Sequence, residues 1–313
     1  MIPSRRMLMR PSGGEPCRRC VRATDVPGRC RAALIDPACV AAATLDASLR
    51  QRAKTGQRVY ALFESGLADP RRWKRTIFLH ALTSLYEGRY NGEGLTEISP
   101  SLCELPTDPV ESERWLSAIL DACRGQPMLA FIVTALSRDE LVRHLQQRME
   151  AASPPGEHFV ARWADTRCLA SWVAVLDDAQ RAHFTAGIDA WLYFDRCGQL
   201  QSLPLETTVS PGHHDLAYRL TWEQIRRLQR SAMADTVLDY LRARSRVFGR
   251  LSGLPSVVHA TAEKILLESS DTDSAITADT YRRMLHSLED AGLLEVPDQE
   301  ESVAVVPDAG DAP

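Results

Sequence analysis

The run Met128-Leu129-Ala130-Phe131-Ile132-Val133-Thr134 constrains this chain more than any other segment. It is apolar without alternation, the pattern of a central strand that has no solvent face and must be covered on both sides. Extended to Leu136 it is still about half of the ~20 residues that a membrane-spanning helix needs, so a buried strand is the reading. The rest of the chain must then supply helices to cover it, and helix signals flank it throughout.

Three Asp-Pro pairs, Asp36-Pro37, Asp69-Pro70 and Asp108-Pro109, place an N-capping carboxylate before a proline at the first helical position. They predict helices over about 37–54, from 70 onward with Trp73, Ile77 and His80, and from 109 with Trp115, Ala118, Ile119 and Ala122 on one face. Glu111 completes a capping box in the third, and Ser137 with Glu140 forms another before Leu141, Leu145 and Met149. Short β-type runs lie between: Arg58 to Phe63, Thr83 to Tyr86, Ser101 to Leu105 and His158 to Trp163. A helix is expected around Leu169 to Leu176. Ile188 to Phe194 and Gln199 to Leu203 flank Cys197-Gly198 and read as a hairpin. From Thr221, with Gln224 as its capping partner, the pattern turns helical. A stripe from Trp222 to Leu241 breaks near Ser231, and helices follow over 257–267 and 280–291, the last closed by Gly292.

The fold class expected is α/β, a mixed sheet flanked by helices, followed by a smaller all-helical C-terminal domain. Length agrees with two domains, since 313 residues exceed a usual single domain. The divisions expected are a disordered Arg-rich leader over 1–33, an α/β domain over 34–205, a linker over 206–220, a helical domain over 221–296 and an acidic disordered tail over 297–313. The leader carries eight arginines against Glu15 and Asp25 and has no aromatic residue. Its Met7-Leu8-Met9 patch is too short for a secretory signal, so the body is expected to be cytoplasmic. A start downstream at Val21, Val26 or Val40 would leave these residues untranslated. Cys17, Cys20, Cys30 and Cys39 offer one tight pair for zinc but lack the second that a ribbon needs. No metal is therefore expected. Cys103, Cys123, Cys168 and Cys197 read as small buried hydrophobes.

The sequence holds no nucleophile elbow, zinc-protease helix or phosphate-binding lysine loop, so no catalytic residue and no cofactor are expected. Gly88, Gly92 and Gly94 read as a plain turn, and His213-His214-Asp215 as solvated linker. Asp177-Asp178 suits a helix start, where carboxylates favour the dipole. The net charge of −4 argues against a dedicated nucleic-acid binder. Within the fold one segment is basic: Arg219 to Arg250 carries eight arginines against three acids. It reads either as a solvated helix face or as a docking surface for an acidic partner, with Arg226, Arg227 and Arg230 as candidates.

A succession of short motifs adds to this. Val59-Tyr60-Ala61-Leu62-Phe63-Glu64 is followed by Asp69-Pro70, then Leu85-Tyr86-Glu87-Gly88 and Ile98 to Leu105. Leu141-x3-Leu145, Phe159 to Arg167 and Ile188-Asp189-Ala190-Trp191-Leu192 come next. In this order they resemble the type VI secretion effector adaptors, or effector chaperones, which carry the domain of unknown function numbered 4123. Ala164 and Thr166 depart from that pattern, which usually has Tyr and Pro there. The resemblance implies a non-enzymatic bacterial protein that binds a toxic effector and loads it onto the spike protein of the secretion apparatus, with no membrane partner. Within it, Arg162, Asp165 and Arg167 read either as an internal salt bridge and helix cap or as partner contacts. The alternative function is a nucleic-acid-binding regulator that uses the Arg-rich C-terminal helices.

Overall fold

The computed structural model describes residues 32–73, 81–205, 218–268 and 276–295. The chain opens with α1 (Ala42–Arg52), β1 (Arg58–Glu64), α2 (Pro70–Trp73), β2 (Thr83–Ser84), α3 (Leu95–Ile98) and β3 (Pro100–Glu104). Then come α4 (Pro109–Ala122), β4 (Leu129–Thr134), α5 (Arg138–Gln146), β5 (Glu150–Ala152), β6 (His158–Val160), α6 (Thr166–Val175) and α7 (Asp178–Thr185). β7 (Ala190–Phe194), β8 (Leu200–Ser202), β9 (Tyr218–Arg219) and α8 (Trp222–Ser231) complete the first of two compact units, which ends at Ala232. The second holds α9 (Met233–Ala243), α10 (Ser245–Phe248), β10 (Arg250–Leu251), α11 (Pro255–Glu268), α12 (Ala278–Asp290) and β11 (Leu294–Glu295).

The first unit is built on a six-stranded sheet in the order β2-β3-β1-β4-β7-β8, antiparallel at every pairing. All six residues of β4 are buried, between β1 on one side and β7 on the other. Strand side chains alternate between faces, so the unbroken apolar run divides cleanly. Ala130 and Ile132 join Tyr60, Leu62 and Trp191 in a core closed by Leu141 and Leu145 of α5, Leu169 and Trp172 of α6, and Phe184 of α7. Leu129, Phe131 and Val133 join Ala61, Phe63 and Leu192 on the other face, under Leu45 and Leu49 of α1 and Leu116 and Ile119 of α4. A second, three-stranded sheet has the order β6-β5-β9, and its β5–β9 pair is parallel.

Most of the expected helix caps form. Ser137 and Glu140, Asp177 and Gln180, and Thr221 and Gln224 each close a reciprocal capping box. Asp108 accepts from the Glu111 amide at 2.9 Å, which is the first half of the box expected there.

Asp36-Pro37 is a correction. The helix begins at Ala42 and Ala41 caps it without a side-chain bond. Residues 32–37 instead lie across two loop tips, with the Leu34 amide donating to the Gly125 carbonyl and the Asp36 amide to the Arg196 carbonyl. At Gly198, φ is +68°, and a Cβ would stand 2.5 Å from the Pro37 carbonyl oxygen, so the approach requires glycine. Ala32 and Ala33, assigned to the leader, belong to this contact: Gln126 Nε2 donates to the Ala32 carbonyl at 3.0 Å. Two further boundaries move. Residues 218–220, assigned to the linker, include β9 and bury Tyr218 and Leu220 against the first core. The helix opening at Trp222, assigned to the helical domain, is part of the first unit. Cys197 is exposed on the hairpin turn, not buried, while Cys103 and Cys123 are buried. The arginine-rich leader up to Arg31, Cys17, Cys20 and Cys30, Ile77 and His80, His213 to Asp215 and the acidic tail lie outside the described residues.

The second unit packs Val237, Leu238 and Leu241 of α9, Val258 and Ala262 of α11, and Met284 and Leu288 of α12. Gly292, at φ +67°, closes α12: its amide bonds the Glu289 carbonyl, and the Leu293 amide returns to the Leu288 carbonyl. That reversal delivers β11 antiparallel to β10, a two-residue ladder that the helical pattern does not disclose.

Ile132→Asp would put an unpaired carboxylate into the first core, at a cost of several kcal/mol against a usual stability of about 5–15 kcal/mol. Circular dichroism should show the cooperative transition of the first unit lost. Val110→Asp, at a 69% exposed site on α4, should leave the melting temperature within about 2 °C. A cooperatively folding Ile132→Asp protein would refute the two-sided burial of β4.

Candidate functional site

β1 ends in Glu64, a carboxylate 3% exposed where the sheet runs out between its two layers. Its amide pairs with the Met128 carbonyl at 2.9 Å, so the side chain stands beside the start of β4. The chain returns to this place 98 residues later. Arg162 Nη2 meets Glu64 Oε1 at 3.1 Å, and the Arg162 side chain remains 28% exposed. The Asp165 amide donates to the Arg162 carbonyl, and the Thr166 amide to the Pro127 carbonyl. These bonds seat the N-terminus of α6 at the mouth of the β1–β4 pair.

Asp165 caps α6. Its Oδ1 accepts from the Arg167 amide and from Arg167 Nε, each at 3.1 Å, and its Oδ2 accepts from Arg167 Nη2 at 2.8 Å. The side chains of this pair are 2% and 9% exposed. A carboxylate at a helix N-terminus is favoured by the unpaired amides, and the bidentate guanidinium fixes its orientation. The three residues singled out from the sequence are thus brought together, with the fourth member, Glu64, supplied by β1. Sequence reasoning passed over Glu64; the available signal was an acid directly after the buried Tyr60-Ala61-Leu62-Phe63 run.

Burial pushes the Glu64 carboxyl up to about 7 from an ordinary 4.5, with the Arg162 cation opposing and the Asp165 carboxylate reinforcing the rise. Burial also works against the Arg162 cation, but Glu64 and Asp165 outweigh it and hold its pKa above the usual value. Above about pH 7 the contact is an ion pair, and below it Arg162 stays charged beside a neutral acid. Tyr86 lies close enough for Glu64 to help burial keep its hydroxyl protonated. The arrangement can bind a strand end to a helix start and present one guanidinium edge to a partner.

Arg226, Arg227 and Arg230 lie at the other end of α6, about 15 Å away at 1.5 Å per helical residue. Gln224 Nε2 donates to the Val175 carbonyl at 2.8 Å, and Arg227 Nη2 to the Ala174 carbonyl at 3.0 Å. Arg227 therefore neutralises the C-terminal carbonyls of α6. Arg226 pairs with Glu223 at 3.0 Å on the surface, and Arg230 is exposed. Trp222, on the same helix, is 56% exposed, a feature its place in the apolar stripe concealed. No group of three or more His, Cys, Asp or Glu among the described residues could hold a metal ion. No helix among them is long and apolar enough to cross a membrane.

Because the Glu64 pKa is higher in the fold than in the unfolded chain, the folded state holds that proton more tightly. Its contribution is complete below about pH 4.5 and is lost as pH rises through about 7. Glu64→Gln cannot ionise, so its stability should fall less than that of the parent between about pH 5 and pH 8, by on the order of 3 kcal/mol. Urea midpoints across that range provide the measurement, and parallel curves for the two proteins would contradict the burial argument.

Residues 59–183 match the family model described as Domain of unknown function (DUF4123). The matched stretch runs from β1 into α7 and contains all four members of the Glu64 cluster. No curated protein and no solved structure matches the chain. Over about two fifths of its length, then, this chain is similar to that family.

Proposed function

We propose that this protein is a cytoplasmic, non-enzymatic adaptor that binds a toxic effector of a bacterial type VI secretion system and loads it onto the spike protein. The observation that carries this reading is the family match over residues 59–183. It covers much of the stretch whose ordered motifs resemble the effector adaptors. The Glu64 cluster is consistent with it, because its charges are spent largely on one another and leave Arg162 as the accessible group. In this proposal the matched segment meets the spike protein, and α8 presents Trp222, Arg226 and Arg230 to the cargo. Tryptophan and arginine dominate the energetic centres of protein interfaces.

The nucleic-acid reading draws less support. Of the eight arginines between 219 and 250, Arg226 pairs with Glu223, Arg242 with Asp239, and Arg244 lies over the Tyr240 ring at 3.8 Å. Arg227 is committed to α6. These commitments reduce the charge left for phosphates.

The test is co-purification of the full chain with the spike protein and toxin encoded in the same genome. The Arg226→Glu, Arg230→Glu double variant should fold normally, keep the spike protein and capture the toxin about tenfold more weakly, which is about 1.4 kcal/mol. Undiminished capture would remove α8 from the cargo surface. Failure of the parent protein to retain either partner, together with DNA binding that weakens steeply with salt, would favour the regulator instead.

A further inference from the structure

Arg162 and Arg167 meet their acids in different ways, and the difference leaves one guanidinium with capacity to spare. Arg167 gives two nitrogens, Nε and Nη2, to the two oxygens of Asp165, and its side chain is 9% exposed. Arg162 gives only Nη2, to one oxygen of Glu64, and its side chain is 28% exposed. Among the described residues its guanidinium makes no other hydrogen bond or ion pair. A guanidinium carries five N–H donors in a planar fork, so one two-hydrogen edge of Arg162 is still whole. Such an edge matches a carboxylate, which it holds through two parallel bonds.

The acid already in place is boxed in. The Glu64 side chain is 4% exposed, and a Cβ on Gly66 would stand 3.2 Å from its Oε1 and 3.3 Å from the Ile98 carbonyl oxygen. The other charged and titratable groups around the pair are Asp165, Arg167 and Cys168 at the start of α6, and Tyr86 after β2. With both acids ionised, Glu64 and Asp165 balance Arg162 and Arg167. A second carboxylate on Arg162 would leave one net negative charge where burial makes net charge costly. Glu64 is the group that can restore the balance, because burial holds its proton up to about pH 7. One proton from solvent, bound by Glu64, returns the sum to zero and leaves the Arg162 cation to the newcomer.

We propose that Arg162 binds an acidic side chain of a partner protein through its open edge, and that Glu64 takes up one proton as the carboxylate arrives. The identity of that partner, the spike protein, rests on the adaptor reading, whereas the carboxylate site does not. Binding strengthens as pH falls through about 7, down to the range near about 4 where the partner's own carboxylate is protonated.

The site is tested on the full chain, isotope-labelled at the glutamate carboxyl carbons and followed by NMR. The Glu64 signal is the one missing from Glu64→Gln. Sodium acetate, against sodium chloride at equal ionic strength, should raise the pH midpoint of that signal by about half a unit, or about threefold in acetate affinity between its two forms. Arg162→Lys keeps the charge but not the fork, and should remove most of that shift. The partner is tested by affinity for the spike protein encoded in the same genome, at about pH 6.5 and about pH 8.5. The parent should bind severalfold more weakly at the higher pH, and Glu64→Gln should bind alike at both. A midpoint indifferent to acetate would overturn the proposal, as would a shift that survives intact in Arg162→Lys. Spike binding with the same pH dependence in the parent and in Glu64→Gln would also overturn it. If acetate moves the midpoint but no spike protein binds at either pH, the carboxylate site stands and the adaptor reading fails.

Discussion

Burial of β4 on both faces governs the first unit. A strand covered on two sides cannot give any backbone or side-chain polar group to water, so its neighbours must satisfy every amide and carbonyl. β1 and β7 do so along its length, and β1 is itself buried from Tyr60 onward. The polar residues that end such strands cannot reach solvent freely either. Glu64 is the result: one residue beyond the apolar run, it is still between the layers, and only a charge brought from elsewhere in the chain can offset its desolvation. Arg162 provides that charge, and Asp165 with Arg167 locks the helix that carries it.

The same logic explains the one deeply buried cation among the described residues. Arg148 is 2% exposed, between the C-terminal ends of α5 and α7. Its guanidinium donates to the His144 carbonyl at 2.6 Å and twice to the His183 carbonyl, at 2.9 and 2.7 Å. Two helix ends that would otherwise bury unpaired carbonyls share one side chain. Burial draws its pKa down to about 10, which still leaves it protonated near neutral pH. Its own carbonyl accepts from the Trp163 indole at 2.9 Å. The aromatic group of Trp163, Phe184 and Trp191 is thereby tied to the turn that leads into the Glu64 cluster.

What the sequence discloses is local. Capping boxes act over three residues and a strand's alternation over two, so Ser137, Asp177 and Thr221 can be placed from their immediate neighbours alone. The Met128 to Thr134 run announces its burial because no polar residue interrupts it before Thr134. The misplacements are cases in which a distant partner overrides a local signal. Asp36-Pro37 has the composition of a helix start, but its backbone is held by the loop at 195–198. α8 has the pattern of the helices that follow it, yet Gln224 and Arg227 bind it to α6. Of the candidate cluster, Arg162, Asp165 and Arg167 are legible because they crowd one turn. Glu64 is not, since nothing near it in sequence names its partner.

These distances also bear on how far the family match defines a folding unit. The matched segment contains β1, β3, β4 and both halves of the Glu64 cluster, but it stops before β7 and starts after α1. Without β7, one edge of β4 would present unpaired amides and carbonyls from residues that are all buried in the complete unit. Without α1, Leu116 and Ile119 would lose the Leu45 and Leu49 side that completes their layer. The matched segment is therefore one part of a larger structural unit that runs to Ala232. The segments that complete it, α1, the β7–β8 hairpin and α8, answer to packing as well as to any partner. In α8 these demands fall on different residues of the same helix. Gln224, buried, and Arg227, at the surface, both bond to α6, while Trp222 and Arg230 are exposed, so those two positions can change without releasing the helix's hold on the fold.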